Sequence, residues 1–278
     1  MSTLVKKYPA ISLLILALLV SLALFAPVAA GIVPAGFAQL AALGPSIAGI
    51  ILAAIEGRKG GVRELLGRFL IWRVGIGWWL FALFFPIIPV VGALYLYNLF
   101  GGPAVDLTGL APLYTVVPMI LMLTIAAGMG EEFGWRGYAV PRLQPHHNAL
   151  VASIIVGVIH GIWHIPLFLV EGTTQYSWRS EVGLVVAVLM YTVFVTAWAI
   201  QYTWVFNNTK GSVLLAAVVH GAGNAWIGGY IDVYRGHIGG IYAFTALTIV
   251  VSIVIVLVAG PANLSRKYER NVLQLEEA

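Results

Sequence analysis

The chain has 278 residues, of which 60% are hydrophobic and only 9% are Asp, Glu, Lys or Arg. A typical soluble domain is about 25% charged, so this composition excludes a soluble enzyme, a disordered chain and a nucleic-acid binder. The net charge of +4 is a small surplus, and the absence of Cys excludes disulfides, iron–sulfur clusters and a thiol nucleophile.

A membrane-crossing helix needs about 20 mostly apolar residues, and eight segments qualify. The first, Ile11 to Ile32, follows Lys6 and Lys7 and closes at Gly31 and Pro34. The same Lys pair, apolar run and small residues Val28–Ala29–Ala30 also fit a cleaved signal peptide, the less favoured of two readings. Phe37 to Ile55 is the second span. The loop after it, from Glu56 to Arg68, reads as a solvated segment that sets topology, with a short interfacial helix as the alternative. Phe69 to Tyr97 is the third span, and Pro86 and Pro89 predict a kink or tilt within it. Gly101–Gly102–Pro103 breaks the chain before the fourth, Pro112 to Gly130. Ala149 to Val170, Val182 to Phe206, Ser212 to Gly228 and Ile241 to Gly260 complete the set, with Gly260–Pro261 as the final stop. The sequence therefore predicts an all-α polytopic membrane protein of about eight transmembrane helices. It divides into three N-terminal spans (1–111), a helical core (112–228) and a last span with its tail (229–278).

Basic residues fix the expected orientation. With eight spans, Lys6, Lys7, Arg58, Lys59, Arg63, Arg68, Arg73, Arg136, Arg142, Lys210, Arg266, Lys267 and Arg270 fall on one side, and only Arg179 and Arg235 on the other. Asp106, Glu171, Glu181 and Asp232 lie on that second side. The positive-inside rule then puts both termini in the cytoplasm.

Ionisable and amide groups within spans are costly and mark candidate function. Three clusters qualify. In Gly130–Glu131–Glu132–Phe133–Gly134–Trp135–Arg136, a continuing helix pairs Glu132 with Arg136 at i, i+4. It also turns Glu131 away by about 100°, without a local partner and available as a general base. The competing reading is a helix end emerging into water. In His160–Gly161–Ile162–Trp163–His164, two imidazoles share one face, and Gly157 with Gly161 admits a close helix neighbour. In His220–Gly221–Ala222–Gly223–Asn224, an imidazole and an amide share a face, or act as helix–helix glue. Together the clusters predict one inward-open cavity able to deprotonate water, bind a carbonyl oxygen and stabilise an oxyanion. His, His and Glu are also the donor types of a catalytic zinc site, although H-E-x-x-H is absent.

The order E-E-x-x-x-R, then His164 in Trp163–His164–Ile165–Pro166, then H-x-x-x-N in separate spans resembles the CPBP family of intramembrane proteases. That family, also called Abi, includes CAAX prenyl proteases of the Ras-converting type and bacteriocin-processing or bacteriocin-immunity proteins. The resemblance covers about Pro112 to Gly228. It implies an endopeptidase acting in the cytoplasmic half of the bilayer on a membrane-embedded or lipid-tethered peptide or protein. Glu131 and His164 would activate water, His220 and Asn224 would form the oxyanion site, and Glu132 and Arg136 would support them. One departure is His160, where the family usually has an aromatic residue; the expectation is a cavity-wall residue rather than an added ligand. The family is described both as metal-dependent and as using a glutamate alone, so a divalent metal such as zinc stays open. The expected partners are membrane lipids and the substrate, with no nucleic acid, and the expected location is a prokaryotic plasma membrane. Three rivals are a non-catalytic immunity or binding factor, a proton-coupled transporter using the same Glu and His, and a haem protein with two His ligands. The transporter predicts repeated halves with broken helices, a pattern absent from the sequence.

Overall fold

The computed structural model describes residues 2–57, 61–105, 112–230 and 238–266. Arg58, Lys59, Asp106, Asp232, Arg235, Lys267 and Arg270, on which part of the charge pattern rests, lie outside them. The described residues are helices joined by turns and short irregular segments, with no strand among them. Among the described residues, seven helices are long and apolar enough to cross a membrane: Pro9–Ala29, Phe37–Ile55, Ile76–Leu99, Leu113–Leu143, Ala149–Leu169, Leu184–Asn208 and Gly239–Ala259. The protein is an all-α, multi-pass integral membrane protein.

The remaining apolar helix, Val213–Gly228, is shorter. At 1.5 Å per residue it extends roughly 24 Å, less than the ~30 Å hydrocarbon core. Its first eleven residues, Leu214 apart, are buried, so it is an interior post rather than a lipid-facing span. Ser212 caps it by accepting from the Leu215 amide at 3.1 Å. The same hydroxyl donates to the Ile71 carbonyl at 2.7 Å and ties the post to the entrance of the third span. Large apolar side chains such as Ile11, Ile15, Leu19 and Leu22 on the first span point outward. A lipid-facing surface tolerates that stripe, because the helix satisfies its own backbone groups.

Two boundaries differ from the sequence reading. The third span begins at Ile76, after a three-residue 3-10 turn at Arg68–Leu70, and breaks at Phe85–Pro86. The proline ring supplies that break. The fourth span does not end near Gly130 but runs on to Leu143. Within it, Phe133–Ala139 is wound as a π-helix, just ahead of Pro141, which has no N–H to send back to the Gly137 carbonyl. The described part of the loop before the third span is a short helix, Gly61–Gly67, with Leu65 buried and Arg68 paired to Glu64 at 2.7 Å. Glu56 is not a solvated loop residue. It is buried, receives Arg142 Nη2 at 2.7 Å and the Tyr138 hydroxyl at 2.9 Å, and so clasps the second span to the fourth.

Glycines set how closely the fourth span meets its neighbours. A Cβ on Gly128 would strike the backbone of Ala217, and one on Gly221 would strike the backbone of Thr124. The fourth span and the buried post therefore cross at backbone contact. On another side, a Cβ on Gly134 would strike the Pro45 carbonyl of the second span. Backbone cannot swing aside as a flexible side chain can, so Gly134→Ala should lower stability by about 1–3 kcal/mol, the usual cost of overpacking. Gly67→Ala, which meets open space, should leave stability unchanged. Thermal unfolding of the two variants in one detergent checks the pair; equal melting temperatures would show that the second and fourth spans are looser than described.

Candidate active site

The extension of the fourth span changes the setting of the two carboxylates. Glu131 lies twelve residues before Leu143, about 18 Å along the axis, and both glutamates are buried. Neither sits at a helix end emerging into water.

Glu132 and Arg136 pair as the i, i+4 spacing predicts, with Nη1 3.0 Å from the carboxylate and both side chains at 0% exposure. The structure adds a third member. Nδ1 of His220 lies 2.8 Å from Glu132 Oε1. With the carboxylate ionised, Nδ1–H donates, which fixes the ring and leaves Nε2 as its free nitrogen. The Arg136 guanidinium sits 4.9 Å over the ring of Tyr202, and that ring stacks on His220 at 5.4 Å. Glu132 is thus the centre of a buried Arg136–Glu132–His220 chain.

Glu131 points to a different partner. Its Oε2 lies 2.7 Å from His160 Nε2. The sequence reading gave Glu131 no local partner and placed His160 on the wall; across the cavity His160 is the imidazole in direct contact with that carboxylate. The i, i+4 spacing showed that His160 and His164 share a face but not which of them meets Glu131. His160 also stacks on Trp135 at 4.9 Å. Nδ1 of His164 donates to the His160 carbonyl at 2.9 Å and leaves its own Nε2 free. The fifth span is held close to the sixth at this level, because a Cβ on Gly157 or Gly161 would meet Thr196 or Thr192.

One oxygen of Glu131 and one nitrogen each of His160 and His164 all lie within 4.8 Å of one another. Two imidazoles and a carboxylate, one imidazole oriented by a backbone carbonyl, make a donor set that fits a divalent cation such as zinc.

Glu131, His160, His164, His220 and Asn224 line one cavity of about 660 Å³. Asn224, half-buried, is on the post one turn beyond His220. Two further lining residues were not singled out from the sequence: Tyr191, whose hydroxyl accepts from Gln175 at 2.7 Å, and Tyr202, whose hydroxyl is buried with no hydrogen-bond partner among the described residues. Tyr191, Phe194, Trp198 and Tyr202 fall at i, i+3, i+7 and i+11 along the sixth span, an aromatic stripe legible as one face.

The mouth of the cavity lies elsewhere than expected. The exposed lining residues Gln39, Leu169, Gly172 and Thr174 belong to the hairpin between the first two spans and to the segment after the fifth. By the alternation of spans this is the end of the bundle opposite Arg63, Arg68, Lys210 and Arg266. The expected inward-open cavity is therefore corrected: its exposed lining lies away from the basic end. The first span forms part of the wall, with Ser21 accepting from Trp163 Nε1 at 3.1 Å.

Comparisons with known proteins bear on the same stretch of chain. Residues 113–226 match the family model described as Type II CAAX prenyl endopeptidase Rce1-like. A curated protein, CAAX prenyl protease 2 of Methanococcus maripaludis, is 33% identical over 104 residues, which cover 37% of this chain and 37% of that protein. The part of this chain that is similar to the Rce1-like type II CAAX prenyl endopeptidases is therefore the part that carries the carboxylates, imidazoles and amide of the cavity.

Proposed function

We propose that the protein is an intramembrane endopeptidase and that Glu131 is its general base. The observation that carries this reading is the placement of a buried carboxylate, an oriented imidazole and an amide around one cavity, within the segment that matches a protease family. The chemistry follows from the contacts. His160 Nε2–H donates to Glu131 Oε2 and holds the carboxylate so that its other oxygen faces the cavity. Glu131 takes a proton from a water, and His164 Nε2 accepts the second water hydrogen and orients the lone pair. The water oxygen bonds to the scissile carbonyl carbon, and the carbonyl oxygen becomes an oxyanion. The Asn224 amide donates to it. His220 donates from Nε2 only when both ring nitrogens are protonated. Glu131 then gives its proton to the peptide nitrogen, the C–N bond breaks to an amine and a carboxylic acid, and the acid loses its remaining proton to the again-ionised Glu131 and leaves as a carboxylate. Were a divalent cation bound, Glu131, His160 and His164 would hold it, and it would supply Lewis-acid polarisation of water or carbonyl.

The substrate reading rests on shape and polarity. Leu22, Phe25, Phe194 and Ile227 line the cavity above its polar floor, which suits an apolar or lipid-tethered peptide entering from the bilayer. The matched relative is named for prenylated CAAX tails. Here the mouth faces away from the basic end. With that end cytoplasmic, in a prokaryotic plasma membrane as the archaeal relative suggests, the peptide reaches the site from the other side. A membrane-anchored or exported peptide, of the bacteriocin-leader type, fits that route better than a cytosolic CAAX tail. The non-catalytic immunity factor gives no account of the Glu131–His160 contact, and neither it nor the transporter accounts for an amide, Asn224, on the same cavity.

Three outcomes are expected. Glu131→Gln should abolish cleavage of a membrane-tethered test peptide in liposomes, with a loss of about 10² to 10⁴ in rate, while the folded fraction stays unchanged. His160→Phe should lower kcat by about ten- to a hundredfold, the worth of a charge-assisted hydrogen bond of about 1.5–3 kcal/mol; unchanged kcat would return His160 to the cavity wall. Glu132→Gln and Arg136→Ala should each destabilise the protein by about 3–5 kcal/mol, because either change strands a buried partner; calorimetry showing wild-type stability would mean the pair is solvated. The route of entry has its own test, since the chain has no native Cys. Ser180→Cys, near the mouth, should react with a membrane-impermeant maleimide in intact cells, and Arg63→Cys only after lysis; the reverse pattern would place the mouth in the cytoplasm.

A further inference from the structure

A second cavity, of about 420 Å³, lies at the basic end of the bundle, away from the polar floor described above. Three cations from three separate segments line it: Arg73 before the third span, Lys210 between the sixth span and the post, and Arg266 after the last span. All three are exposed, and none pairs with a carboxylate among the described residues. Its inner wall is apolar, formed by Trp78 and Trp204, whose rings meet edge to face at 4.9 Å, and by Val258. Gly75 leaves that wall open, since nothing lies within 4 Å of a Cβ placed there.

We propose that this cavity binds the phosphate headgroup of an anionic phospholipid. Three like charges at one rim repel one another unless an anion sits among them, which is the charge complementarity that selects the ligand. Indole rings at headgroup depth, with an open apolar groove beneath the cations, match a molecule whose phosphate is joined to acyl chains rather than a free anion. The exposed flank of Val258 carries that apolar path along the last span. The site also reaches the turn that leads into the post. Lys210 and Gly211 adopt left-handed φ values of 58° and 73° immediately before Ser212, which caps the helix carrying His220 and Asn224. A bound headgroup would therefore brace the turn on which the post begins.

The test uses the full-length protein in detergent, with native mass spectrometry reading bound lipid during titration with short-chain phosphatidylglycerol or phosphatidylcholine. Wild type should prefer phosphatidylglycerol by tenfold or more. The triple variant Arg73→Gln, Lys210→Gln, Arg266→Gln should lose roughly 100-fold in phosphatidylglycerol affinity, at about 1 kcal/mol for each cation, and keep its phosphatidylcholine binding. Arg63→Gln, a basic residue outside the cavity, should behave as wild type. An unchanged preference in the triple variant would overturn the proposal, as would an equal loss in Arg63→Gln, which would reduce the effect to overall charge. Displacement of phosphatidylglycerol by equimolar glycerol phosphate would overturn the lipid assignment in favour of a soluble anion.

Discussion

A guanidinium, a carboxylate and an imidazole buried in one line within a membrane bundle are the constraint on which the site depends. Arg136 and Glu132 are wholly inaccessible, and Glu132 also receives His220. Charges in that setting persist only when each finds its counter-charge and its hydrogen bonds. The Glu132–His220 contact therefore requires that the fourth span and the post stay in fixed register, and that register places His220 on the cavity. In the proposed mechanism the supporting roles of Glu132 and Arg136 have a physical meaning: they would position an imidazole rather than touch the reacting atoms.

The register is made by what is missing as much as by what is present. Gly128 and Gly221 let two backbones touch, and Gly134 admits the second span on the other side. Hydrophobic sorting cannot drive helices together in lipid, so close backbone approach and interior polar contacts have to do so. Gly128 and Gly134 flank the two carboxylates in sequence, and Gly221 follows His220, so close backbone approach and the candidate site coincide.

Much of this was legible in the sequence. The spans emerged from apolar length, and the Glu132–Arg136 pair from helical spacing. Gly157 and Gly161 signalled a close neighbour, which proved to be Thr196 and Thr192 of the sixth span. What was not legible was depth and partner choice. Charged text at Glu131–Glu132 reads as the end of a span, because hydropathy alone cannot distinguish water from a paired, protein-lined interior. The Glu131–His160 and Glu132–His220 contacts depend on how three helices rotate about their axes, which periodicity within one helix does not fix. Tyr202 was passed over because an aromatic residue in a span usually signifies packing; yet it lines the cavity, and its buried hydroxyl has no hydrogen-bond partner among the described residues.

The account holds that Glu132 sets the protonation pattern of His220, with Nδ1 carrying a proton and Nε2 facing the cavity. Nitrogen NMR of the protein labelled with ¹⁵N in its imidazole rings, with the His220 signals assigned by their loss in His220→Gln, measures this directly. The account predicts a protonated Nδ1 on His220 that shifts when Glu132 is changed to Gln. A His220 whose Nδ1 is unprotonated in the wild-type protein would contradict it, and would detach the buried ion pair from the chemistry of the cavity.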